Sequence, residues 1–275
     1  MNPWFETIFA AIAALSGLYL GKAFVNLRRP WWYLGYLLPL TVIAIVVVTG
    51  FNETISFLPP FCWLPTGRIK FVILSLAAVT GLATLLPHLH SKFQKISVYL
   101  IMGFAVVWFA VLPFLTSALI KNDLQNIKTL LDSQGTCFQT KDYTCGPAAA
   151  VTALGKLGLP ATEGQIALLA HSNPITGTLP ACLYSALKDR YADEGLICDY
   201  VHFNSIAELK NAGLILAPVR DSFLSNHCVT ILNVSDRTVT FADPVLGKKS
   251  MSHAQFEKIW RFSGITLSRK SPHDA

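Results

Sequence analysis

Charged residues are scarce in this chain of 275 residues, and acidic ones are almost missing from its first 120 residues. Charged side chains make up 14% of the sequence and hydrophobic ones 52%, with a mean hydropathy of +0.47. The first 120 residues hold seven Lys/Arg and two Asp/Glu, whereas the remaining 155 hold fifteen and fourteen. This composition excludes a single ordinary soluble domain and an intrinsically disordered chain. Because the basic excess lies between apolar runs, it is typical of membrane-flanking loops and argues against a nucleic-acid partner.

Several motifs that mark common chemistries are also missing. The six cysteines include no CxxC pair, and a chain of this length does not depend on a disulfide framework, so neither a disulfide-stapled domain nor a zinc site is predicted. The sequence has no GxxxxGK phosphate-binding loop, which argues against nucleotide hydrolysis. It has no internal repeat and no low-complexity run. We therefore expect neither a metal nor an organic cofactor.

Four apolar runs occupy the first 120 residues. They are Trp4–Gly21, Trp31–Gly50, Phe71–Pro87 and Tyr99–Ile120. A helix rises about 1.5 Å per residue, so each run has close to the length needed to cross a hydrocarbon core about 30 Å thick. Basic residues and prolines separate the runs, including three prolines in Asn52–Lys70. We predict a four-helix transmembrane region at 1–120, a connector at 121–135 and a globular domain at 136–275, in a multi-pass protein of the cell membrane.

The sequence assigns no side of the membrane to the globular domain. Loops after the first and third runs carry five Lys/Arg and the opposite side carries four, which leans towards an outside location for the domain. Five cysteines without CxxC spacing in the globular half suit a reducing compartment instead. The two arguments conflict, so both orientations stay open.

Beyond residue 136 the sequence shows helix patterns first and strand patterns mainly later. A proline at a first turn followed by good helix formers predicts a helix from Pro147 that ends before Gly158. Leu179–Lys188 fits another helix, and three pairs fit capping boxes: Thr162 with Gln165, Ser205 with Glu208, and Ser252 with Gln255. Strand patterns lie later, at Ile197–Phe203, Leu214–Val219, Cys228–Val234 and Thr238–Ala242. Early helices and a late antiparallel sheet predict an α+β domain.

Four residues of this half could form a site for acyl transfer. Cys145 directly precedes the predicted alanine-rich helix, where free N–H groups and the helix dipole favour a thiolate. His227 opens the third predicted strand and is the candidate base, and Asp243, after the partner strand, can orient its ring. Gln139 lies six residues before Cys145 and can direct its amide at the oxygen of an attacked carbonyl. Each residue alone has an ordinary structural explanation, so the prediction depends on the combination.

Three segments carry a family resemblance. They are Gln139–Ala148 (QTKDYTCGPA), Asn226–Leu232 (NHCVTIL) and Phe241–Gly247 (FADPVLG), followed by Phe256 and Trp260. Together they resemble the C39 group of papain-like cysteine peptidases, which cut leader peptides, typically after a double glycine, and often form the N-terminal part of a peptide-exporting ABC transporter. The resemblance implies a papain-like fold in which Cys145 is the nucleophile, His227 the general base, Asp243 its orienting residue and Gln139 the oxyanion donor. Here, in contrast, the similar segment follows membrane helices.

We therefore expect a membrane-anchored cysteine peptidase that acts on a peptide or leader peptide, with a separate peptide exporter as a candidate partner and the lipid bilayer as its environment. Three alternatives remain. The same thioester could be captured by an amine or thiol, as in a transpeptidase, a transglutaminase-like enzyme or an acyltransferase. The cleft could bind leader peptides without turnover. The globular half could also be a structural part of a membrane scaffold.

Overall fold

The computed structural model describes residues 3–51, 67–221 and 226–270, which divide into two compact units at the Leu119/Ile120 junction. Residues 52–66, which belong to the predicted proline-containing break, lie outside the described residues. The four apolar helices and the α+β class predicted from the sequence are confirmed, because apolar helices fill the first unit and a mixed helix–sheet domain forms the second. The predicted boundaries of the connector stay a prediction.

Long apolar helices make up the first unit. They are α1 (Pro3–Val25), α2 (Leu34–Phe51), α3 (Ile69–Leu85), and α4 (Lys92–Ala105), which continues through a π-helical segment (Val106–Val111) into α5 (Leu112–Leu119). Four stretches are long and apolar enough to cross a membrane: Trp4–Val25, Trp31–Thr49, Ile69–His88 and Lys92–Leu119. The last begins earlier than the predicted Tyr99, because Ser91 and Gln94 form a capping box that starts the helix at Lys92.

Small residues allow α1 and α3 to pack closely within the first unit. A Cβ atom at Gly17 would lie 3.0 Å from the carbonyl oxygen of Leu76, and one at Gly21 would lie 2.5 Å from the Cβ of Ala83. Glycines of this kind let helix backbones approach where lipid provides no hydrophobic drive for helix association. The same unit contains a partly buried ion pair between Arg68 and Glu6. Arg68 also donates a 3.0 Å hydrogen bond to the carbonyl of Pro113.

The second unit combines short helices with a six-stranded antiparallel sheet. Its helices are α6 (Lys121–Gln125), α7 (Cys145–Lys156), α8 (Glu163–Leu169), α9 (Pro180–Tyr191), α10 (Ile206–Leu209) and α11 (His253–Ile259). Its strands are β1 (Leu130–Leu131), β2 (Cys137–Phe138), β3 (Leu196–His202), β4 (Leu214–Arg220), β5 (Asn226–Val234), β6 (Thr238–Asp243), β7 (Gly247–Ser252) and β8 (Ser263–Arg269). The large sheet has the order β3-β8-β4-β5-β6-β7, and β1 pairs with β2 separately.

The two faces of the large sheet cover two separate hydrophobic clusters. Side chains alternate between the faces of a strand, so on β4 Leu216 joins one cluster while Ile215 and Ala217 join the other. The first cluster contains the buried faces of α7, α8 and α9, and the second contains α10 and α11. The sheet therefore lies between two helical layers, and α7 packs on its first face.

Most of the predicted elements of this unit are confirmed, with three differences. The caps at Thr162 and Ser252 form, but the side chain of Ser205 makes no cap hydrogen bond. Glu208 accepts instead from the backbone N–H of Asn204, one residue before the expected cap. Strands β7 and β8 were not predicted, and neither was the short β1–β2 pair. The sequence of β7 is polar and β1 and β2 are short, so these strands form by pairing with neighbours, whereas β8 carries an alternating pattern with buried Ile265 and Leu267 that was missed.

Residues of the predicted connector pack on the second unit. Leu124 of α6 is 1% exposed, and a Cβ atom on Gly164 at the start of α8 would lie only 2.2 Å from its carbonyl oxygen. The hydroxyl of Thr129 accepts a 3.0 Å hydrogen bond from the backbone N–H of Glu163. The chain between 120 and 131 thus covers the beginning of α8.

We predict that Gly21→Ala destabilises the first unit, because the added carbon would lie 2.5 Å from Ala83 Cβ and 2.8 Å from the carbonyl oxygen of Thr80. The expected loss is about 1–3 kcal/mol, the usual cost of overpacking, measured by unfolding in detergent. Gly103→Ala in α4 is the matched control, since nothing lies within 4 Å of its added carbon. Equal losses in both variants would contradict close packing at Gly21.

Candidate active site

Cys145 is the first residue of α7, as its position before a Gly-Pro pair predicted. The side chain is partly accessible, while the helix behind it is buried from Gly146 to Leu154. Gly146 lies against Thr178, whose side-chain carbons would be 3.1 Å from an added Cβ. The thiol therefore lies at the positive end of the dipole of a largely buried helix.

His227 and Asp243 meet across the β5–β6 hairpin. His227 is the second residue of β5 and Asp243 the last of β6, and residue pairing between these strands includes Thr230 with Ala242. The Nε2 atom of His227 donates to Oδ1 of Asp243 over 2.9 Å. Both side chains are largely buried, with 16% and 10% of their side-chain surfaces exposed, so solvent competes little for this contact. The pairing of β5 with β6 thus brings Asp243 to His227, and the hydrogen bond between them orients the imidazole ring.

The turn after β6 fixes the carboxylate of Asp243. Its Oδ1 atom also accepts hydrogen bonds from the backbone N–H groups of Val245, at 2.8 Å, and Leu246, at 3.3 Å. Burial by itself raises the pKa of Asp243, but the bond from His227 and these backbone donors outweigh it and the pKa is lowered. The carboxylate is therefore ionised at neutral pH and held in one orientation.

Besides the carboxylate of Asp243, the sulfur of Cys145 is the second group that acts on the imidazole of His227. Burial lowers the pKa of His227, whereas the hydrogen bonds and negative charges of Asp243 and Cys145 raise it, with a net value of about 10. An imidazole with this pKa is positively charged at neutral pH. The ring is thus influenced both by the carboxylate of Asp243 and by the sulfur of Cys145.

A hydrogen bond joins helix α7 to strand β5 beside this site. The hydroxyl of Thr230 donates a 2.7 Å hydrogen bond to the carbonyl of Ala149, and both residues are buried. Cys228, two residues earlier on β5, packs against the same hydrophobic cluster as α7. Burial raises the pKa of the Cys228 thiol, and the nearby charge of Cys145 raises it further. This neighbouring thiol is therefore kept neutral.

Gln139 follows β2 directly and lies beside the turn that holds Asp243. Its backbone N–H donates a 2.9 Å hydrogen bond to the carbonyl of Pro244. Its side-chain oxygen is buried and has no hydrogen-bond partner among the described residues. The structure thus places Gln139 next to the turn of Asp243 through its backbone, and the unpaired side-chain atom is the acceptor oxygen, not the nitrogen that would donate to an oxyanion.

Glu163 is a residue near the site that the sequence did not indicate. It is fully buried at the start of α8, and its Oε1 atom accepts hydrogen bonds from residues 140 and 144 of the loop between Gln139 and Cys145. The capping pair Thr162–Gln165 locates Glu163 in a first helical turn. No sequence pattern shows that this loop would fold over its carboxylate.

The other described cysteines differ from Cys145 in their surroundings. Burial raises the pKa of Cys137 to about 12 and that of Cys198 to about 11, so both are neutral thiols in the core. Cys182, on α9, is partly exposed. Within the described ranges, no group of three or more His, Cys, Asp or Glu side chains is arranged to hold a metal ion.

The fold and the site together define a class of protein. A cysteine at a helix start, facing a histidine on an antiparallel sheet that is oriented by an aspartate, is the arrangement of papain-like cysteine enzymes. The model of the Peptidase C39 family matches residues 134–273, about half of the chain. The chain therefore belongs to the Peptidase C39 family, and the resemblance inferred from its motifs is confirmed.

Comparison with other proteins gives distant relatives. Two proteins described as uncharacterized, from Methanothermobacter thermautotrophicus and Methanothermobacter marburgensis, are 27% and 26% identical over 54% and 53% of this chain and 96% of their own length. Among solved structures, the peptidase domain of Streptococcus ComA, a bifunctional ABC transporter involved in quorum sensing, is 17% identical with a TM-score of 0.43, over 48% of this chain and 96% of that one. A double-glycine-motif protease from an AMS/PCAT transporter, solved with its leader peptide, is 16% identical with a TM-score of 0.40, over 52% of this chain and 93% of that one.

We predict that Asp243→Asn lowers the pKa of His227 from its value of about 10 towards its ordinary 6.5, because the substitution removes the charge that favours the protonated ring. Nuclear magnetic resonance titration of the imidazole nitrogens measures this shift. Asp236→Asn is the matched control, since Asp236 forms an exposed ion pair with Lys210 away from the ring. An unchanged His227 pKa in Asp243→Asn would contradict the assigned contact.

The same shift gives the chain a defined pH dependence of stability. A raised histidine pKa stabilises the folded state fully below the ordinary pKa of 6.5, and this contribution is lost as the pH rises towards about 10. Thermal unfolding of the chain should therefore show stability falling between these values, with a weaker fall in Asp243→Asn.

Proposed function

We propose that this chain is a membrane-anchored cysteine peptidase that cleaves a peptide or leader-peptide substrate. The observation that carries the proposal is the 2.9 Å hydrogen bond between the imidazole of His227 and the carboxylate of Asp243, on a ring whose pKa the nearby sulfur of Cys145 also raises. Membership of a peptidase family supports it independently of that geometry. A binding module or a structural domain would have no need for an ionised, oriented ring beside a thiol at a helix start.

In the proposed mechanism the Cys145 thiolate attacks the carbonyl carbon of the scissile peptide bond. The developing oxyanion receives hydrogen bonds from the Gln139 amide and from the backbone N–H of Cys145. His227 protonates the leaving amine, which breaks the C–N bond and leaves a thioester on Cys145. Water, activated by the neutral imidazole, then hydrolyses the thioester and releases the acid product.

The ring nitrogens of His227 divide these tasks. Nε2 is occupied by the bond to Asp243, so Nδ1 is the atom that exchanges the proton with sulfur, amine and water. Asp243 keeps this orientation throughout, because two backbone N–H groups also hold its carboxylate in place. Its role in the proposal is to orient and stabilise the imidazolium without accepting the proton.

The apolar helices give the proposed reaction a membrane setting. Four stretches of the first unit are long and apolar enough to span a bilayer. A peptidase fixed at a membrane meets substrates confined to the same surface at a high effective concentration. From the family we take a leader peptide as the proposed substrate and a separate peptide exporter as a proposed partner.

We predict that a peptide bearing a thiol-reactive electrophile labels Cys145 selectively and that Cys145→Ala abolishes labelling and peptide cleavage. His227→Ala should slow labelling by at least tenfold, because the thiolate loses its cationic partner. Mass spectrometry of the full chain locates the label.

Cys182→Ala is the matched control, because Cys182 is a partly exposed cysteine on another helix. Its loss should change neither the labelling rate of Cys145 nor the rate of peptide cleavage. Equal labelling of several cysteines would count against Cys145 as the nucleophile, and capture of the thioester by an added amine instead of water would favour the acyltransferase alternative.

We predict that Gln139→Ala lowers the rate of peptide cleavage about 10²–10³-fold with little change in KM, as expected when one oxyanion donor is lost. Steady-state kinetics separates the two constants. Gln134→Ala is the control, because the described contacts of Gln134 are made by its backbone: its carbonyl accepts from Lys156 and its N–H donates to Asp132. A change confined to KM in Gln139→Ala would indicate substrate binding instead of oxyanion stabilisation.

A further inference from the structure

Glu163 is a buried carboxylate without a counter-charge. It has no exposed surface, and among the described residues no cation lies within 4 Å of it. Its Oε2 atom is buried and has no hydrogen-bond partner in the described part of the chain. An unpaired buried carboxylate is costly for folding, so its presence needs a compensating contact or a functional reason.

The compensating contacts all converge on one oxygen. Oε1 of Glu163 accepts from the backbone N–H of Thr140 at 2.8 Å, from the Thr140 hydroxyl at 3.1 Å and from the Thr144 hydroxyl at 2.6 Å. Three hydrogen bonds thus share this oxygen. One carboxylate oxygen therefore holds both ends of the five-residue loop 140–144.

The two ends of this loop adjoin the groups proposed to stabilise the oxyanion. Thr140 follows Gln139, and Thr144 precedes Cys145, whose backbone N–H is the second proposed donor. The loop also closes on itself, since the Thr144 hydroxyl accepts from the backbone N–H of Lys141 over 3.2 Å. A shift of Glu163 would thus displace Gln139 and the first N–H of α7 together.

Glu163 is itself held from the opposite side. Its backbone N–H donates to the Thr129 hydroxyl, and the next residue, Gly164, lies against the carbonyl of Leu124. The cysteine sulfur has a separate support, because α7 is fixed on β5 by the bond from Thr230 to Ala149. The oxyanion donors and the nucleophile therefore depend on different anchors.

We propose that Glu163 is a positioning residue that sets the geometry of the oxyanion site through the loop 140–144. This inference rests on the proposed peptidase function and adds a residue to it. Acyl transfer needs hydrogen-bond donors aligned with the developing oxyanion, and small misplacements of such groups reduce rates steeply. Alkylation of a thiolate at a saturated carbon forms no oxyanion and needs no such donors.

Two reagents distinguish a reaction of Cys145 that needs oxyanion donors from one that does not, and both are applied to the full-length chain in detergent. Acetylation of Cys145 by p-nitrophenyl acetate forms a thioester and releases p-nitrophenolate through a tetrahedral intermediate. Alkylation by iodoacetamide forms a thioether and releases iodide by direct substitution. The reaction of Cys145→Ala is subtracted in both cases. We expect Glu163→Gln to lower the acetylation rate about tenfold and to change the alkylation rate less than twofold.

Substitutions at the loop supply a second, independent test. Thr144→Val removes the hydroxyl that reaches Glu163 and should reproduce the selective loss of acetylation, whereas Thr144→Ser keeps the hydroxyl and should restore it. Trp260→Phe is the matched control, since it also removes a buried hydrogen bond, from the indole N–H to the carbonyl of Ser263, and Trp260 belongs to the second hydrophobic cluster. It should lower the unfolding temperature without changing the ratio of the two rates.

The outcomes distinguish the two proposals. If the unmodified chain reacts no faster than Cys145→Ala with either reagent, the proposed function fails and this inference fails with it. The unmodified chain can react with both reagents while Glu163→Gln and Thr144→Val lower the acetylation and alkylation rates equally, or change neither rate. In either case the role of Glu163 is structural and the inference is overturned. A Glu163→Gln chain that does not fold leaves the decision to the two Thr144 variants.

Discussion

The candidate site depends on one buried contact between distant parts of the chain, the seating of α7 on β5. The hydrogen bond from Thr230 to Ala149 joins residues 81 positions apart and lies inside the hydrophobic cluster shared by the helix and the sheet. Because α7 begins at Cys145 and β5 begins one residue before His227, this seating decides whether sulfur and imidazole meet. The β5–β6 pairing then adds Asp243 without any further long-range contact.

Among the described residues, three carboxyl groups with little exposed surface, those of Glu6, Asp243 and Glu163, have different kinds of partner. In the first unit Glu6 is paired with Arg68, as a charge among apolar helices requires. Asp243 faces a positively charged ring and backbone donors, and both lower its pKa. Glu163 has only neutral donors from one loop. The first arrangement stabilises a helix packing, the second orients a ring, and the third is explained best by the need to fix a loop.

Local sequence signals predicted the elements that carry the candidate site, and tertiary contacts determined what the signals missed. Cys145 at a helix start, His227 at a strand start and Asp243 close to a strand end each follow from local Pro, Gly and hydrophobic patterns. The role of Glu163 could not be predicted, because its partners lie 19 and 23 positions away and are ordinary threonines. The polar strand Gly247–Ser252 was missed because only its pairing with β6 makes it a strand. Ser205 failed as a cap because Glu208 binds the backbone N–H of Asn204 instead.

The close approach of Gly164 to the carbonyl of Leu124 has a consequence for how such proteins diversify. A side chain at position 164 would collide with the backbone that leaves the apolar region, so the two segments have to change together. Recombination that joined the second unit to a different set of apolar helices would preserve the fit only if the crossover lay upstream of Leu124. The inheritable unit is therefore longer than the segment that carries the family motifs.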